Sequence, residues 1–410
     1  MSAFFYDSPH QFTPLIPGQI PFEPLLAKAS AVQARALAVK AQASPLTLTR
    51  LRELVRAMNS YYSNTIEGQG THPLHIEEAL HHDFSGEPDI ARRQRLAIAH
   101  IQAEIDYEHW LSSNPSHPTL SSESALKAHT LLLSRLTEAD RLSSDGGVIV
   151  PGQLRKKNVV VGRHRPPEFN AIPKFLNAFD QEFARPSTAD AYTLVRAACA
   201  HQRLAWIHPF LDGNGRAIRL QTHGALLGMT QGLWSVNRGF ARNRDDYYHY
   251  LDAADGARRG DLDGRGNLTE KGLVQWVDYF LDVCLDQADF MGTLLDLKSI
   301  RKNIDLWIAS EGQENPHIRR EASLPLQHLF MVGEMPRKDF FQMTSLGERN
   351  ARYLVSALLK KGLLSSQTTL GPLRFEFPLS AIRLLFPGLY PEASAPMPKE
   401  AWQIRHRPKA

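Results

Sequence analysis

The 410-residue chain lacks most of the features that mark secreted, membrane-spanning or nucleic-acid-coating proteins. It has two cysteines, Cys199 and Cys284, in apolar segments with a helical pattern, so no disulfide framework is expected. No apolar run reaches the length of a membrane span, and the first two dozen residues lack the basic start and apolar centre of a signal peptide. The formal net charge is only +4, which argues against a chain that coats nucleic acid. We therefore expect a cytoplasmic protein with no membrane partner.

What the sequence does contain is helical periodicity over most of its length. With 410 residues the chain is too long for one typical hydrophobic core, so several domains are expected. Changes in periodicity predict an N-terminal helical region at 1–112, a central domain at 113–292 and a C-terminal domain at 293–390. Residues 391–410 are rich in proline and charge, and they are expected to form a loose tail.

The most informative run is HPFLDGNGRAIR, from His208 to Arg219. It places an imidazole, a carboxylate, two glycines around an asparagine, and two arginines within twelve residues. Glycines let backbone N–H groups approach an anion, and the apolar pattern after Gly215 predicts a helix whose positive end lies at this loop. Arginine supplies planar donors for phosphate oxygens. The run therefore indicates a loop that binds a nucleotide's phosphates, and an ordinary loop-to-helix turn is the alternative.

The same run resembles H-P-F-x-D/E-G-N-G-R-x-x-R, the signature of Fic-domain proteins. Most of these transfer AMP from ATP to a hydroxyl side chain of a target protein. The resemblance implies that His208 deprotonates the target hydroxyl and that Asp212 holds Mg²⁺, roles that suit an imidazole and a hard oxygen ligand. It also implies a set of phosphate ligands, with Arg219 reaching the terminal phosphate. The ligands of the α- and β-phosphates are Gly213, Asn214, Gly215 and Arg216.

An upstream segment, Ser63-Asn64-Thr65-Ile66-Glu67-Gly68, resembles the inhibitory motif S/T-x-x-x-E-G/N of many Fic proteins. Ser63 and Glu67 are four residues apart, so they share one face if the segment is helical, and Gly68 is expected to end that helix. In the family this glutamate pairs with the second signature arginine, here Arg219, and blocks productive placement of the γ-phosphate. An ordinary surface helix end is the alternative.

Two β-branched triplets, 148–150 and 159–161, precede Pro151-Gly152 and Gly162 and predict a small β-hairpin. The segment 158–165 corresponds in position to the Fic flap, which pairs with the target as an added strand. An edge hairpin protected by cations from aggregation is the alternative. The residues assigned to this target-binding flap are Asn158, Val159, Val160, Val161 and Gly162.

A later helical segment begins with Tyr247 and Tyr248 and contains Asp255. In similar proteins aromatic and amide groups in this region surround the adenosine, so the resemblance implies that these three residues contact the nucleotide. Asp255 stands where an asparagine is expected, which leaves adenine selectivity less secure than phosphate binding. Simple packing of the tyrosines on the core is the alternative.

The C-terminal domain has helices followed by two short strands, 363–364 and 373–377, an order typical of a winged helix. The segment 347–361 places four cations away from an apolar stripe, as DNA-reading helices do, although winged helices also contact proteins. These cations are Arg349, Arg352, Lys360 and Lys361.

Together these features predict a mainly α-helical protein: a Fic helical core with a β-hairpin flap, and a winged-helix domain. The resemblance implies an autoinhibited protein adenylyltransferase that uses ATP and Mg²⁺ and modifies a Ser, Thr or Tyr hydroxyl, its own included. Transfer of another group such as UMP, or removal of AMP, stays open, as do DNA binding and a homodimer. A nucleotide-sensing transcriptional regulator is the rival class, but a pure sensor does not need the base His208.

Overall fold

The computed structural model describes residues 5–40, 42–143, 146–186 and 188–389, and helices take up 66% of these residues. The prediction of a mainly α-helical fold is confirmed. The tail predicted at 391–410 lies outside the described residues. Within the described ranges, no helix is both long enough and apolar enough to cross a membrane.

The helices and strands are numbered in chain order. The helices are α1 (Gln19–Lys40), α2 (Pro45–Ile66), α3 (Pro73–Leu80), α4 (Pro88–Ser113), α5 (Ser122–Leu133), α6 (Ile172–Phe183), α7 (Ala191–Ile207), α8 (Asn214–Thr230), α9 (Val236–Arg242), α10 (Arg244–Asp255), α11 (Glu270–Leu295), α12 (Leu297–Glu314), α13 (Ser323–Val332), α14 (Arg337–Thr344), α15 (Glu348–Lys360) and α16 (Ile382–Leu385). The strands are β1 (Glu334–Met335), β2 (Leu364–Ser365) and β3 (Leu373–Phe375).

The chain divides into two compact units, each made of three segments. The first comprises Met1–Leu37, Asn59–Thr71 and Ser85–Ala288, and the second comprises Ala38–Met58, His72–Phe84 and Asp289–Ala410. The run from 208 to 219 and the segment from 63 to 68 both fall in the first unit. The domain limits drawn from the sequence stay predictions.

The first unit is built around α8, which packs against α4, α5 and α7. Helix α8 is buried along most of its length, so its polar side chains need partners inside the protein. Gln221 donates to the carbonyl oxygens of Thr119 and Ser121, and Thr222 bonds to His201. These bonds fix α8 in a surrounding core, which gives the loop at its N-terminus a rigid base.

The two β-branched triplets do not pair with each other, so the hairpin predicted from both of them is wrong. Val148 bridges to Leu142, and Val161 bridges to His164 across a turn at Gly162. The second triplet therefore turns back on itself. The chain between the triplets pairs elsewhere, because Leu154 bridges to Phe210 in the loop before α8. A short β-branched run does not indicate which segment it pairs with, so the pairing with distant segments could not be predicted from the sequence.

From α12 onward, the second unit contains the predicted helices and the two predicted strands in the expected order, with β1 and α16 in addition. Its sheet is antiparallel with the order β1-β3-β2, and Leu364 in β2 lies opposite Phe375 in β3. The apolar stripe of α15 is buried, including Leu354 and Leu358. Strand β1 was not predicted, since Glu334 and Met335 include no β-branched or aromatic residue that would indicate a strand.

Candidate active site

The loop between α7 and α8 is shaped by two residues with left-handed backbone angles. His208 ends α7 with φ +50° and ψ +61°, and Gly213 precedes α8 with φ +78°. Glycine adopts that angle without the steric cost of a Cβ atom. The Asn214 side chain accepts from Phe210 N and donates to Phe210 O, both at 2.9 Å, so it closes the loop on itself. The N–H groups of the first turn of α8 therefore face the same side as His208 at a positive helix end.

This end of α8 opens into a cavity of about 560 Å³, which brings together most of the residues predicted from the sequence. The lining residues are Glu67, Val161, Gly162, Arg163, His164, Ala205, His208, Asn214, Gly215, Ile218, Arg219, Tyr247, Tyr248, His249, Leu251, Asp252 and Asp255. The other predicted residues stand outside this lining, within the part of the chain that the structure describes. They are Ser63, Gly68, Asn158, Val159, Val160, Asp212, Gly213 and Arg216.

An ion pair that is buried on the Arg219 side joins the segment after α2 to α8, and both of its residues line the cavity. Nη2 of Arg219 lies 2.6 Å from Oε1 of Glu67, and the Arg219 side chain is 1% exposed while that of Glu67 is 30% exposed. Ser63 completes the contact, since its hydroxyl accepts from Arg219 Nε at 3.1 Å and its carbonyl accepts from Nη2 at 3.0 Å. Helix α2 ends at Ile66, so Glu67 lies directly after the helix, while Ser63 contacts the same guanidinium from its last turn.

The Glu67 carboxylate lies directly against the N-terminus of α8. A Cβ atom at Gly215 would lie 2.3 Å from Oε1 of Glu67, so the missing side chain of Gly215 makes this approach possible. Burial alone would raise the pKa of Glu67, but the charges of Arg219 and Arg216 outweigh burial and hold this pKa below its usual range. Glu67 is therefore an anion bound at an anion-binding helix end.

His208 faces the same cavity as a neutral imidazole. Burial lowers the pKa of His208 to about 3, and the nearby charge of Arg155 acts in the same direction. A neutral imidazole has one ring nitrogen that can accept a proton at neutral pH. A proton acceptor, the N-terminus of α8 and the Arg219 guanidinium thus line one cavity.

Asp212 offers a carboxylate one residue before the left-handed Gly213. It is partly exposed, and Oδ1 accepts from Gly213 N, so one oxygen is held in place by the loop. A single carboxylate next to a phosphate site suits Mg²⁺, which binds one or two carboxylates together with phosphate oxygens and water. The chemistry of this carboxylate therefore fits Mg²⁺ carried by a nucleotide, although Asp212 stands outside the cavity lining.

The two predicted tyrosines differ in environment. Tyr247 is buried, its hydroxyl lies 3.1 Å from His201 Nε2, and its ring stacks on Phe240 at 4.4 Å. Tyr248 is more exposed, and its hydroxyl donates to the Ile66 carbonyl at 3.3 Å, at the end of α2. Tyr247 thus packs α10 on the core, while Tyr248 contacts the segment from Ser63 to Gly68.

Asp255 lines the end of the cavity that lies near Gln202 and His164. Its Oδ1 accepts from Gln202 Nε2 at 2.7 Å, and its Oδ2 is 3.8 Å from His164 Nδ1. Burial raises the pKa of Asp255 well above its usual range, which favours a protonated carboxyl that can both donate and accept. This end of the cavity is suited to the polar edge of a base or ribose.

The flap region is a tight turn whose edge is exposed. Val161 and His164 exchange two backbone hydrogen bonds of 3.0 and 2.9 Å, and Val160 is 60% exposed. Asn158 accepts from Phe169 N at 2.9 Å and closes the base of the segment. The turn itself reaches the cavity through Val161 and Gly162, while the start of the segment does not.

Sequence reasoning missed several residues that line or support the cavity, Arg155, Leu251 and Asp252 among them. Each belongs to no motif, and only the fold brings it near the loop. A second polar cluster was also not predicted from the sequence. In the described residues, Glu104, Glu108 and His223 place side-chain atoms of the kind that bind metal ions within 4.8 Å of one another. Asn59 donates to Glu104, so this cluster forms a hydrogen-bonded network beneath α2.

Comparisons with known proteins agree with this geometry. Residues 119–226 match the Fic/DOC family. A protein adenylyltransferase Fic from Nematostella vectensis is 27% identical over 195 residues, which are 47% of this chain and 42% of the relative. One from Drosophila yakuba is 31% identical over 103 residues, 25% of this chain and 20% of the relative. A crystal structure of a Fic family protein from Desulfovibrio desulfuricans G20 covers 88% of this chain and 98% of its own, with a TM-score of 0.50 and 17% identity.

The chain therefore carries a Fic/DOC-family domain, and the resemblance drawn from the run at 208–219 is confirmed. The bacterial structure supports the fold alone, because the identity is low. The chain spans less than half the length of the two adenylyltransferases, at 42% and 20%.

Proposed function

We propose that the protein is an autoinhibited protein adenylyltransferase that transfers AMP from ATP to a Ser, Thr or Tyr hydroxyl of a target protein. The observation that carries this proposal is the convergence of His208, the N-terminus of α8 and Arg219 on one cavity. These groups match the needs of nucleotidyl transfer: a base for the hydroxyl and donors for the phosphates. The names of the related adenylyltransferases support the same reaction.

In the proposed reaction the target oxygen attacks the α-phosphorus of ATP. A new oxygen–phosphorus bond forms, the bond to the oxygen that bridges the α- and β-phosphates breaks, and pyrophosphate leaves. His208 takes the hydroxyl proton, while the backbone at Gly215 and the guanidinium of Arg219 stabilise the phosphate charge. Bound Mg²⁺, held by Asp212, would neutralise charge on the phosphates. The exposed edge at Val160 would hold the target backbone beside the cavity.

The inhibited state follows from the position of Glu67. Its carboxylate occupies the helix end and the arginine that phosphate oxygens would use, so carboxylate and phosphate compete for one site. Tyr248 stabilises the same arrangement through the Ile66 carbonyl. The protein as described would therefore transfer AMP slowly, to itself or to a target, until Glu67 is displaced.

The choice of nucleotide is the least constrained part of the proposal. Asp255 can donate or accept, and Asp252 also lines the cavity, so position 255 does not present the neutral amide expected for adenine. Transfer of UMP or another nucleotide and the removal of AMP from modified proteins are the alternatives within this fold.

The decisive experiment incubates the Glu67→Gly variant with ATP, CTP, GTP or UTP labelled at the α-phosphate and measures label on protein. We expect label from ATP, on the protein itself and on added proteins, and none from ATP labelled at the γ-phosphate. The double variant Glu67→Gly with His208→Ala serves as the matched control and should stay unlabelled. Label from another nucleotide alone would change the donor, and no label from any would reject the activity.

Asp212→Ala should make the reaction need more Mg²⁺. Loss of the protein ligand weakens metal binding. We expect the Mg²⁺ concentration for half-maximal transfer to rise about tenfold or more, which corresponds to a loss of about 1.4 kcal/mol in the free energy of metal binding. A Mg²⁺ titration in the Glu67→Gly background measures this shift. Asp261→Ala, which removes an exposed carboxylate outside the cavity lining, is the control. Superimposable titrations for all variants would place the metal on other groups.

We also propose that the C-terminal domain predicted at 293–390 is a winged helix, with α15 as its candidate recognition helix. Arg349 and Lys360 are exposed on α15, as DNA contact requires. Other cations there are partly neutralised, since Arg352 pairs with Glu348 and Lys361 with Glu311. A protein-contact role is therefore the competing proposal, and a transcriptional regulator remains the rival class. Location in the cytoplasm and a homodimer stay predictions.

If α15 reads DNA, the full chain should bind duplex DNA with a steep salt dependence. Arg349→Ala with Arg352→Ala should flatten the slope of log affinity against log salt by about one unit per lost phosphate contact. Lys298→Ala with Lys302→Ala removes the same charge from α12 and should leave the slope unchanged. Absence of binding at low salt would favour the protein-contact role.

A further inference from the structure

The loop from His208 to Gly213 is supported by side chains that lie outside the signature. His208 is a non-glycine residue with a positive φ of +50°, a conformation that L-residues adopt only when their surroundings favour it. The carbonyl at each end of the loop, that of His208 and that of Asp212, accepts a hydrogen bond from a buried side chain.

Arg155 holds the first of these carbonyls. Its Nε donates to His208 O at 2.9 Å, and its backbone N donates to Pro209 O at 2.9 Å. The same guanidinium donates to Lys157 O at 2.9 Å and to Pro167 O, the carbonyls on either side of the flap turn. Arg155 is 3% exposed. One planar group therefore joins the backbone of the proposed base to both ends of the target-binding flap.

His129 holds the second carbonyl. Its Nδ1 accepts from Gly152 N at 2.9 Å, which leaves the proton on Nε2, and Nε2 donates to Asp212 O at 3.0 Å. The ring stacks on Phe210 with a centroid distance of 3.8 Å and an angle of 6°. His129 is fully buried, so its tautomer and its position are both set by the fold.

We propose that Arg155 and His129 are positioning residues for the transfer reaction. Arg155 sets the direction of the His208 imidazole relative to the flap, and His129 sets the direction of the Asp212 carboxylate. The inference rests on the proposed function, because it assigns these residues to that reaction. It adds that the base and the metal ligand depend on two separate supports, one at each end of the loop.

The chemistry of arginine explains why this residue and not lysine stands at 155. Three carbonyl oxygens around one side chain match the fork of N–H groups that a guanidinium presents in a plane. An ammonium group keeps the charge but cannot donate along the same three directions. Arg155→Lys is therefore expected to resemble Arg155→Ala in rate, although it preserves the charge near His208.

The first test compares kcat and KM in the Glu67→Gly background. We expect Arg155→Ala and Arg155→Lys to lower kcat by about 10- to 100-fold, because small displacements of a reacting group cost rates of this order. The KM for ATP should change little, since the phosphate ligands are elsewhere. Added guanidinium ion at millimolar concentration should restore part of the rate of Arg155→Ala, whereas ammonium should not. Lys156→Ala removes a neighbouring exposed charge and is the matched control.

The pH profile separates positioning from a loss of structure. The charged or titratable groups that face His208 are Arg155 and His164 from the flap region and Glu67 from α2. Because Arg155 lowers the pKa of His208, its removal should raise that pKa and move the acid limb of kcat to higher pH. Arg155→Lys, which keeps the charge, should move the limb less. A general loosening of the fold would lower kcat without moving the limb.

The second test separates the two supports. His129→Phe keeps a ring against Phe210 but removes both hydrogen bonds, so the Mg²⁺ needed for binding of a fluorescent ATP analogue should rise. His129→Gln, whose amide can donate to Asp212 O, should restore part of the difference. The acid limb of His129→Phe should match that of the Glu67→Gly parent. Arg155→Ala should in turn leave the Mg²⁺ requirement unchanged.

The inference about Arg155 would be overturned if kcat were unchanged in Arg155→Ala, or if kcat fell with neither rescue by guanidinium nor movement of the acid limb. The inference about His129 would be overturned if the Mg²⁺ requirement were unchanged in His129→Phe. If the Glu67→Gly parent transfers no label, the proposed function fails instead. The support at His208 can then still be examined by NMR, with the His208 imidazole assigned from the spectrum of His208→Ala. An unshifted His208 titration in Arg155→Ala would reject the support as well.

Discussion

His208→Ala in the Glu67→Gly background should abolish measurable transfer while it leaves ATP binding intact. General bases contribute about 10²- to 10⁴-fold to rate, and an alanine cannot take the proton of the incoming hydroxyl. The phosphates would still meet the N-terminus of α8 and the Arg219 guanidinium, so the affinity for ATP should change by less than about threefold. Single-turnover labelling measures the rate, and calorimetry measures the binding of ATP.

The control for this substitution is His109→Ala, which removes an exposed imidazole from α4. It should label at the rate of the Glu67→Gly parent. Near-normal transfer by His208→Ala would contradict the assignment of the base. Loss of both transfer and ATP binding would instead show that the substitution disrupts the loop, and the role of His208 would then have to be tested with His208→Asn.

The pH dependence offers an independent check on His208. An imidazole with an ordinary pKa near 6.5 would lose about tenfold of its neutral form between pH 7.5 and 5.5. Because burial lowers the pKa of His208 to about 3, the neutral form persists through this range. We therefore expect kcat of the Glu67→Gly variant to stay nearly flat from pH 7.5 to 5.5. A tenfold fall centred near pH 6.5 would mean that the imidazole titrates as if it were exposed.

Local sequence was sufficient to place the loop and the helix that follows it. The glycines around Asn214 predicted a turn, and the apolar pattern from Gly215 predicted α8, because both signals arise from neighbouring residues. The face shared by Ser63 and Glu67 follows in the same way from helical spacing. These predictions needed no knowledge of the rest of the chain.

Contacts between distant segments could not be predicted in this way. Nothing in the residues around Arg155 indicates that its guanidinium donates to a carbonyl 53 positions away. The wrong hairpin prediction has the same origin. The chain between the two β-branched triplets pairs through Leu154 with Phe210, and the triplets do not pair with each other. Likewise the pairing of Glu67 with Arg219 was reached through the family resemblance, because spacing alone gives a face and not a partner.

Glu67→Gly should raise auto-modification strongly, while Arg219→Ala should not, although both substitutions break the same ion pair. Loss of Glu67 leaves the Arg219 guanidinium and the N-terminus of α8 open to phosphate. A hydrogen bond to a charged group contributes about 1.5–3 kcal/mol, which corresponds to activation of about 10- to 100-fold. Loss of Arg219 also breaks the ion pair with Glu67, but it deletes a ligand that the phosphate needs.

The opposite outcomes distinguish specific autoinhibition from general loosening of the fold. Both variants lose a contact buried on the Arg219 side, so both are expected to melt at a lower temperature than the parent. If loosening activated the protein, the two would gain activity in proportion to that loss of stability. Glu67→Gln, which keeps the size of the side chain and an oxygen that accepts from Arg219, should be activated less than Glu67→Gly. Single-turnover labelling, combined with melting curves, distinguishes the two explanations. Equal activation of Glu67→Gly and Arg219→Ala, or no activation of Glu67→Gly, would mean that the segment from Ser63 to Gly68 is an ordinary helix end.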